Sequence, residues 1–529
     1  MAHIMSNMQL AKLGRNPHLW LALIVLLWLP INLYSLMSYP APTSDDAWFG
    51  STGVQFMETG AFNAPILSND IYDSLWRLYS VGLALFCRVF GVGLAQARLF
   101  SVIGAMLGAG VLFSLGRTLY QPVVGLLAAA LYLFSLWVLG ASHTVRPDLW
   151  VNAAAVSLFL GFWFAKQSRR ASHALLLGFF IAAAVDIYIT VVYSSIAISI
   201  AVLVEFRQRA DLKVLGAFIL GGLAGTLYWF LVRLFPDPLT TIAQWQFMIG
   251  DLIQFRPTSS VMDTLLGLVN GSVYVVRHGL IGHSSLGPLE FIYMSIGLIC
   301  LAIRRQSQDK LILFGWAVQW LGLFLPFKTL QHVIEVIPLL SLAIAVGTVS
   351  LAQWLAGHTP LRKLSWPVIA CAVCAPLAAG YFAGNVVLGW RSRVIDYEQY
   401  SGQLRALIPL HSNVIGESTW WWALRDGIFT YDYYLSLYGL QHPDLTAPEI
   451  VADVIKTRKV DAILLDERLS SWMATDAVND RNLQIGVALA DYAQVNCQFA
   501  GAVEGYAYGV EQGGPAIKRT EVFACPTTK

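Results

Sequence analysis

Charged residues are scarce in this chain. Lys and Arg number 34, Asp and Glu number 32, and together they make up only 12% of the 529 residues. Globular soluble domains carry about 25% charged residues, so this scarcity argues against a soluble protein. The basic residues are dispersed in short clusters, and the net charge is only +2. A nucleic-acid-binding protein needs a basic face, and we therefore expect no nucleic-acid partner.

Apolar residues replace the missing charge, since hydrophobic residues are 57% of the sequence and the mean hydropathy is +0.60. A helix needs about 20 apolar residues to cross the hydrocarbon core of a membrane. We therefore expect a polytopic α-helical membrane protein. Residues 75–91 could form a short span, but a span there would place the later basic clusters outside, so we interpret them as an interfacial helix with Arg77 and Arg88 at headgroup level. The sequence predicts eleven spans, near 17–38, 96–116, 122–142, 149–165, 172–187, 189–205, 214–234, 286–303, 310–326, 333–354 and 366–389.

The basic residues orient these spans, because short cytoplasmic loops are enriched in Lys and Arg. With eleven spans, the basic clusters all fall on one side: Lys12 and Arg15, Arg117, Lys166 with Arg169 and Arg170, Arg207 with Arg209 and Lys213, Arg304 with Arg305 and Lys310, and Arg362 with Lys363. We expect a bacterial cytoplasmic membrane protein with its N-terminus in the cytoplasm. Residues 1–390 are then the membrane domain, with a first outer loop at 39–95, and residues 391–529 are extracytoplasmic.

Residues 391–529 are more polar and predict a separate α/β domain. The run Trp420-Trp421-Trp422 is its most unusual feature. Core packing or anchoring at the membrane interface is one interpretation, and stacking on an acceptor sugar is the other. The expected strands are 413–419 and 460–466, and the expected helices are 392–407 and 447–458.

Cysteine is also rare, with only six in the chain. Cys497 and Cys525 lie in the predicted extracytoplasmic domain, where an oxidising environment favours a disulfide between them. The other four lie in or beside apolar segments, where free cysteine behaves as a small hydrophobe. These four are Cys87, Cys300, Cys371 and Cys374.

Two adjacent carboxylates, Asp45 and Asp46, follow the first apolar run by a few residues. Charge at a membrane boundary is costly and often functional, so the pair indicates chemistry at the lipid surface. Solvated loop acids or a helix N-cap are the alternative. Further polar candidates lie in the other predicted outer loops: His143, Arg146 and Asp148 in the second, Arg256 in the third, and Lys328 and His332 in the fourth.

Several of these residues together resemble the GT-C glycosyltransferases. They are Asp45-Asp46, Gly60, Pro65, a helix ending at Phe90-Gly91, Arg98 at the start of the next span, and Arg146-Pro147-Asp148 two spans later. The resemblance covers roughly residues 10–390 and is greatest to the bacterial aminoarabinose transferase and protein O-mannosyltransferase group, which take a sugar from a polyprenyl-phosphate carrier.

The resemblance implies roles for individual residues. The catalytic Asp of the family aligns with Asp45, the second member of its acidic pair, usually Glu, is Asp46, and its second acidic position falls on Asp148. The family often has a Lys-Pro or His-Pro pair ahead of the interfacial helix, where this chain has Leu75-Trp76-Arg77. Arg77 is the nearest substitute cation. Lys328 to His332 resembles the family's Lys-x-x-x-Tyr pattern, with His in place of the aromatic residue.

The chemistry of sugar transfer requires these residue types in any case. A carboxylate must accept the proton of the acceptor hydroxyl, and cations or a metal must stabilise the departing phosphate. We assign the first role to Asp45, and expect the second from Arg77, Arg146, Arg256 or Lys328. Asp148 is an orienting residue or a metal ligand, or alternatively an ion-pair partner of Arg146 or the start of a helix after Pro147.

A divalent metal is a possible cofactor, and its identity stays open. Carboxylates such as Asp45 and Asp148 suit Mg²⁺ or Mn²⁺, whereas His143 and His332 would favour Zn²⁺. A histidine hydrogen-bonded at a helix end is the alternative for both histidines.

These observations predict an inverting glycosyltransferase that moves a pentose or hexose from a polyprenyl-phosphate carrier to an extracytoplasmic glycan, lipid or protein. One alternative is a secondary transporter, although these often show repeated halves and charge at the midplane. Another is a ligase or polymerase that uses diphosphate-linked donors.

Overall fold

The computed structural model describes residues 16–67, 76–208, 211–239, 241–242, 269–324, 330–358, 364–466, 481–506 and 517–526. Helices dominate up to residue 407. They are α1 (Pro17–Tyr34), α2 (Ser44–Thr59), α3 (Arg77–Phe90), α4 (Leu94–Leu119), α5 (Pro122–Phe134), α6 (Leu136–Ser142), α7 (Asp148–Ser168), α8 (Ala171–Ala183), α9 (Val191–Gln208), α10 (Leu212–Trp229), α11 (Gly287–Arg304), α12 (Ser307–Phe324), α13 (Ile337–His358), α14 (Trp366–Ser392) and α15 (Tyr397–Leu407).

Eight helical segments of the described chain are long and apolar enough to cross a membrane, and α5 with α6 makes a ninth if this pair, bent by 60°, is one span. This confirms a polytopic helical membrane protein. A helix also occupies each of the two other predicted spans. Helix α8 has only 13 residues, and α12 begins with the polar run Ser307-Gln308-Asp309-Lys310. The total of eleven spans therefore stays a prediction.

The ambiguous stretch at 75–91 contains the helix α3, which has 14 residues. Such a helix is about 21 Å long, shorter than the hydrocarbon core of about 30 Å. Gly91 ends it with a positive φ of 90°. Its length agrees with the predicted interfacial helix.

A turn at Asp186 separates α8 from α9, and the Asp186 carboxylate does not face solvent. Helix α8 runs into a short 3-10 turn, Ala184–Asp186, and the Asp186 side chain is buried. Its Oδ1 accepts a hydrogen bond from Arg233 Nε at 2.5 Å, and its Oδ2 accepts one from the Tyr228 hydroxyl at 3.3 Å. The charge of Asp186 in this apolar stretch is thus neutralised by Arg233, which follows α10 in the chain.

The C-terminal region contains a five-stranded mixed sheet in the order β2-β1-β3-β5-β4. Strand β1 is parallel to β2 and β3, whereas β5 is antiparallel to β3 and β4. The predicted α/β character is therefore confirmed. The elements are β1 (Val414–Gly416), α16 (Trp421–Leu424), β2 (Phe429–Tyr431), α17 (Tyr433–Gln441), α18 (Ala447–Arg458), β3 (Ala462–Asp466), α19 (Arg481–Asn496), β4 (Gln498–Gly505) and β5 (Lys518–Ala524).

Cys497 and Cys525 form a disulfide. Their neighbours Gln498 and Ala524 are directly paired across β4 and β5. The bond therefore fastens the end of this strand pair.

The chain divides into two compact units. The first contains the described residues of Met1–Tyr34, Ser101–Ser142 and Pro147–Val387, and the second those of Ser35–Phe100, His143–Arg146 and Leu388–Lys529. The second unit thus joins the first loop (residues 39–95) to the C-terminal α/β region. This division differs from the predicted domains, 1–390 and 391–529, because the first loop packs on residues distant in sequence.

Candidate functional site

The acidic pair lies in the first turn of α2. Thr43 precedes the helix in an extended conformation, and its backbone N–H donates to Asp46 Oδ2 at 3.0 Å. The pair therefore sits where the unsatisfied N–H groups of a helix N-terminus stabilise negative charge. The N-cap residue is Thr43, and Asp46 is the third helical residue of its capping box, so neither aspartate is itself the N-cap.

Asp46 is the centre of a buried hydrogen-bond network. Its Oδ2 lies 2.7 Å from Arg98 Nη2, and its Oδ1 accepts from Arg98 Nε at 3.3 Å and from the Val145 backbone N–H at 2.8 Å. The Arg98 side chain is completely buried and that of Asp46 is 1% exposed. A buried ion pair is tolerated when further hydrogen bonds satisfy both partners. This network joins α2, the start of α4 and the 143–146 segment.

Arg98 also holds the beginning of the first loop. Its Nη1 donates to the carbonyl oxygens of Leu36 at 2.8 Å and Pro40 at 3.1 Å. The sequence resemblance included Arg98 but assigned it no role. An arginine at the edge of an apolar span is the signal that could have identified it, since such charges need a partner.

Asp45 is the accessible member of the pair. Its side chain is 28% exposed and forms an ion pair with Arg146, whose side chain is 9% exposed. The Arg146 guanidinium carbon lies 5.5 Å from the centroid of the Phe49 ring on α2. Asp45 thus combines partial exposure with a fixed cationic neighbour.

Two more predicted residues belong to this unit. The ring Nδ1 of buried His143 is hydrogen-bonded to the backbone carbonyl of Tyr39. Arg77 begins α3 as a buried residue, and its guanidinium carbon lies 4.9 Å from the centroid of the Phe62 ring. The predicted phosphate-binding residues Arg256 and Lys328 lie outside the described residues.

Asp148 belongs to a buried cluster in the other unit, together with His332 and Glu335. One ligand atom from each residue lies within 4.8 Å of the others, and His332 Nδ1 is 2.8 Å from Glu335 Oε1. Sequence reasoning missed Glu335, although an acid in an apolar span is itself an indication of function.

The cluster is held by a residue one helical turn beyond Asp148. Asn152 is fully buried, and its Nδ2 donates to the carbonyl oxygen of Ile334 at 3.2 Å and to the hydroxyl of Tyr132 at 3.3 Å. Ile334 lies between His332 and Glu335 in the turn Leu330–Val336. Asn152 therefore ties this turn to the face of α7 that carries Asp148.

These three side chains fit a divalent cation by their chemistry. One imidazole nitrogen and two carboxylates form a ligand set that zinc accepts, with bonds of roughly 2 Å. Ligand atoms within 4.8 Å of each other need only small side-chain adjustments to meet around one ion. Asp45, which was also considered as a ligand, is not in this cluster.

Other sequence candidates have packing roles. Burial raises the pKa of the Cys87 thiol to about 11, so this cysteine is not a thiolate at neutral pH. Trp420 is fully buried and stacks on Tyr397 and Tyr400, with ring centroids 5.6 and 4.9 Å apart. Trp421 and Trp422 are at most 9% exposed, so none of the three offers a free ring face for a sugar.

Comparisons with known proteins give one family match and several similar structures. The family model described as dolichyl-phosphate-mannose-protein mannosyltransferase matches residues 78–233. No curated protein sequence matches the chain.

Solved structures resemble the whole chain. ArnT from Cupriavidus metallidurans in the apo state has a TM-score of 0.62 at 14% identity, covering 96% of this chain and 97% of that one. The same protein bound to undecaprenyl phosphate has a TM-score of 0.63 at 13% identity, covering 96% and 98%. The oligosaccharyltransferase AglB from Archaeoglobus fulgidus, in complex with an inhibitory peptide and a dolichol-phosphate, has a TM-score of 0.50 at 12% identity, covering 94% and 74%. The chain therefore has the GT-C fold that its sequence predicted.

Proposed function

We propose that this protein is an inverting glycosyltransferase that moves a sugar from a polyprenyl-phosphate carrier to an acceptor outside the cytoplasmic membrane. The observation that carries the proposal is Asp45, a partly exposed carboxylate held by Arg146 at the start of α2. The GT-C fold shared with ArnT, which was solved with undecaprenyl phosphate, supports the choice of donor.

In this mechanism Asp45 accepts the proton of the acceptor hydroxyl. The acceptor oxygen forms a bond to the anomeric carbon of the sugar while the bond from that carbon to the carrier phosphate oxygen breaks. The phosphate leaves with the electron pair, and one displacement inverts the anomeric centre. Asp46 acts as a positioning residue, because its carboxylate oxygens already accept bonds from Arg98, Val145 and Thr43.

The carrier phosphate needs cations close to it, because the negative charge of a desolvated phosphate is otherwise uncompensated. Arg146 and Arg77 are the candidates from the described residues, and Arg256 and Lys328 remain candidates from sequence. We propose an N-terminus in the cytoplasm and the α/β region outside, as the basic loops predict.

The function is tested with the purified full chain and a panel of pentoses and hexoses linked to undecaprenyl phosphate or to undecaprenyl diphosphate. We expect at least one donor to release undecaprenyl phosphate in the presence of a crude envelope acceptor fraction. Release only from diphosphate-linked donors would favour the ligase or polymerase alternative. A bound solute with no turnover of any lipid donor would favour the transporter.

We further propose that Asp148, His332 and Glu335 hold a divalent cation. When bound, such an ion would act as a Lewis acid that stabilises negative charge on an oxygen ligand. The chain's own contribution is to hold three ligands in a dry environment, with Asn152 fixing the turn that carries two of them. The imidazole ligand favours Zn²⁺ over Mg²⁺.

Removing one ligand should release the metal. We expect wild-type protein dialysed against zinc or manganese to retain about one ion per chain, and Glu335→Gln to retain far less, because a neutral amide is a poor ligand in place of a carboxylate. Metal is measured by mass spectrometry of the purified protein.

Glu290→Gln is the matched control, since Glu290 is also buried and lies 3.1 Å from a histidine nitrogen, that of His283. It should retain the metal. Equal metal content in wild type and Glu335→Gln would contradict the proposed site.

A further inference from the structure

The C-terminal α/β region is in direct contact with the helix that carries Asp45. A Cβ atom added at Gly50 of α2 would lie 2.3 Å from Cζ2 and 2.9 Å from Cη2 of Trp422. No real side chain tolerates such distances, so this position admits only glycine while the indole stays in place. The indole of Trp422 thus lies against the backbone of α2, five residues beyond Asp45.

A second contact lies at the helix start. The hydroxyl of Ser418 donates to the backbone carbonyl of Ser44 at 3.3 Å, directly beside Asp45. Ser418 and Trp422 belong to one continuous segment, a 3-10 turn followed by α16. That segment therefore touches α2 on both sides of the acidic residue.

Three more contacts fix the rest of the first loop. Arg425 forms an ion pair with Glu58 at 3.0 Å, the Tyr431 N–H donates to the Ile66 carbonyl at 2.7 Å, and Arg458 Nη2 donates to the Leu67 carbonyl at 2.5 Å. Their donors come from the end of α16, from β2 and from α18. Elements of the C-terminal region therefore hold the described part of this loop from Ser44 to Leu67.

We propose that the α/β region is a working part of the transfer site, and that Trp422 is a positioning residue that sets the placement of Asp45 through Gly50. This inference rests on the proposed role of Asp45 as general base. A reacting group must be held within about 0.5 Å of its productive position. A buried indole packed on the backbone of α2 provides a stiff contact, because Trp has few rotatable bonds and Gly50 has no side chain to yield.

The test uses the purified full chain and combines a substitution that creates a steric clash, Gly50→Ala, with one that relieves it, Trp422→Leu. Gly50→Ala should lower kcat about 10- to 100-fold, as expected for a small misplacement of a catalytic group. The KM for an undecaprenyl-phosphate-linked sugar used by wild type should stay within about threefold, because donor contacts are kept. Trp422→Leu added to Gly50→Ala should restore at least about 10-fold of the lost kcat by making room for the methyl group, a coupling typical of contacting residues.

Gly53→Ala is the matched control on the same helix. A Cβ at Gly53 would lie 2.8 Å from Leu83 Cδ2 of α3, outside the α/β region. Its effect on kcat should be smaller, and Trp422→Leu should not relieve it. If Gly50→Ala prevents folding, Trp422→Leu alone carries the test, with lowered kcat and unchanged KM expected.

Three results would overturn the inference. They are an unchanged kcat in Gly50→Ala, a loss that Trp422→Leu does not relieve, and an unchanged kcat in Trp422→Leu alone where Gly50→Ala does not fold. The proposed role of Asp45 fails by a different measurement, which is full transfer by an Asp45→Asn variant, and the proposed function fails if the wild-type protein turns over no lipid-linked donor.

Discussion

Asp45→Asn should abolish useful sugar transfer while leaving the fold intact. The amide cannot accept the proton of the acceptor hydroxyl, and a general base contributes about 10²- to 10⁴-fold to a rate. The side chain is 28% exposed, and the amide oxygen of asparagine can still accept a hydrogen bond from Arg146. The variant should therefore unfold at nearly the wild-type temperature. Turnover of an undecaprenyl-phosphate-linked sugar and thermal unfolding of the same preparation measure the two effects.

Glu58→Gln is the control for this experiment. Glu58 is in the same helix as Asp45 and also pairs with an arginine, Arg425, but its side chain is 47% exposed and lies near the opposite end of the helix. Glu58→Gln should keep most of the activity. If Asp45→Asn transferred sugar at the wild-type rate, Asp45 would be removed from the mechanism.

Arg98→Leu should destabilise the protein more than any other single change considered for the second unit. The substitution leaves the 1% exposed carboxylate of Asp46 without its cation and removes the donors to Leu36 and Pro40. Breaking a buried ion pair on one side costs about 3–5 kcal/mol. Transfer activity should fall as well, because Asp46 fixes the start of α2. The thermal unfolding midpoint in detergent is the measurement.

Arg98→Lys should recover only part of the loss, since an ammonium group cannot reproduce the two-pronged contact of a guanidinium with a carboxylate. Arg88→Leu is the matched control, because Arg88 is an exposed arginine near the end of α3. It should change the unfolding temperature little. A wild-type midpoint for Arg98→Leu would show that the buried pair does not support this part of the fold.

The two carboxylates of the pair look equivalent in the sequence, and the structure separates them. Asp46 is completely engaged, whereas Asp45 is accessible. The partners responsible are far away in the chain: Arg98 is 52 residues from Asp46, Val145 is 99 residues from it, and Arg146 is 101 residues from Asp45. A local sequence pattern cannot reveal partners that are separated by so many residues. The presence of the pair could be read from the sequence, but the burial of one member and the accessibility of the other could not.

Glu335 and Trp422 illustrate the same limit in different ways. Glu335 is an acid in an apolar stretch, so its importance could have been predicted, but its meeting with Asp148 depends on how α7 packs against the turn before α13. Trp422 was noticed as part of a tryptophan run, and packing was one of two interpretations. Only its contact with Gly50 shows what it packs against.

The sequence by itself determined the membrane class, the positions of the helices, the α/β character of the C-terminal region and the acidic pair at the start of α2. These features depend on apolar length, hydrophobic period and capping, which act between residues close together in the chain. Tertiary structure alone decided which carboxylate is buried, which histidine meets an acid, and that the first loop joins the C-terminal region in one compact unit. Those outcomes depend on the burial of charge and on close packing between distant segments. The free energies of these contacts depend on residues that become neighbours only in the folded structure.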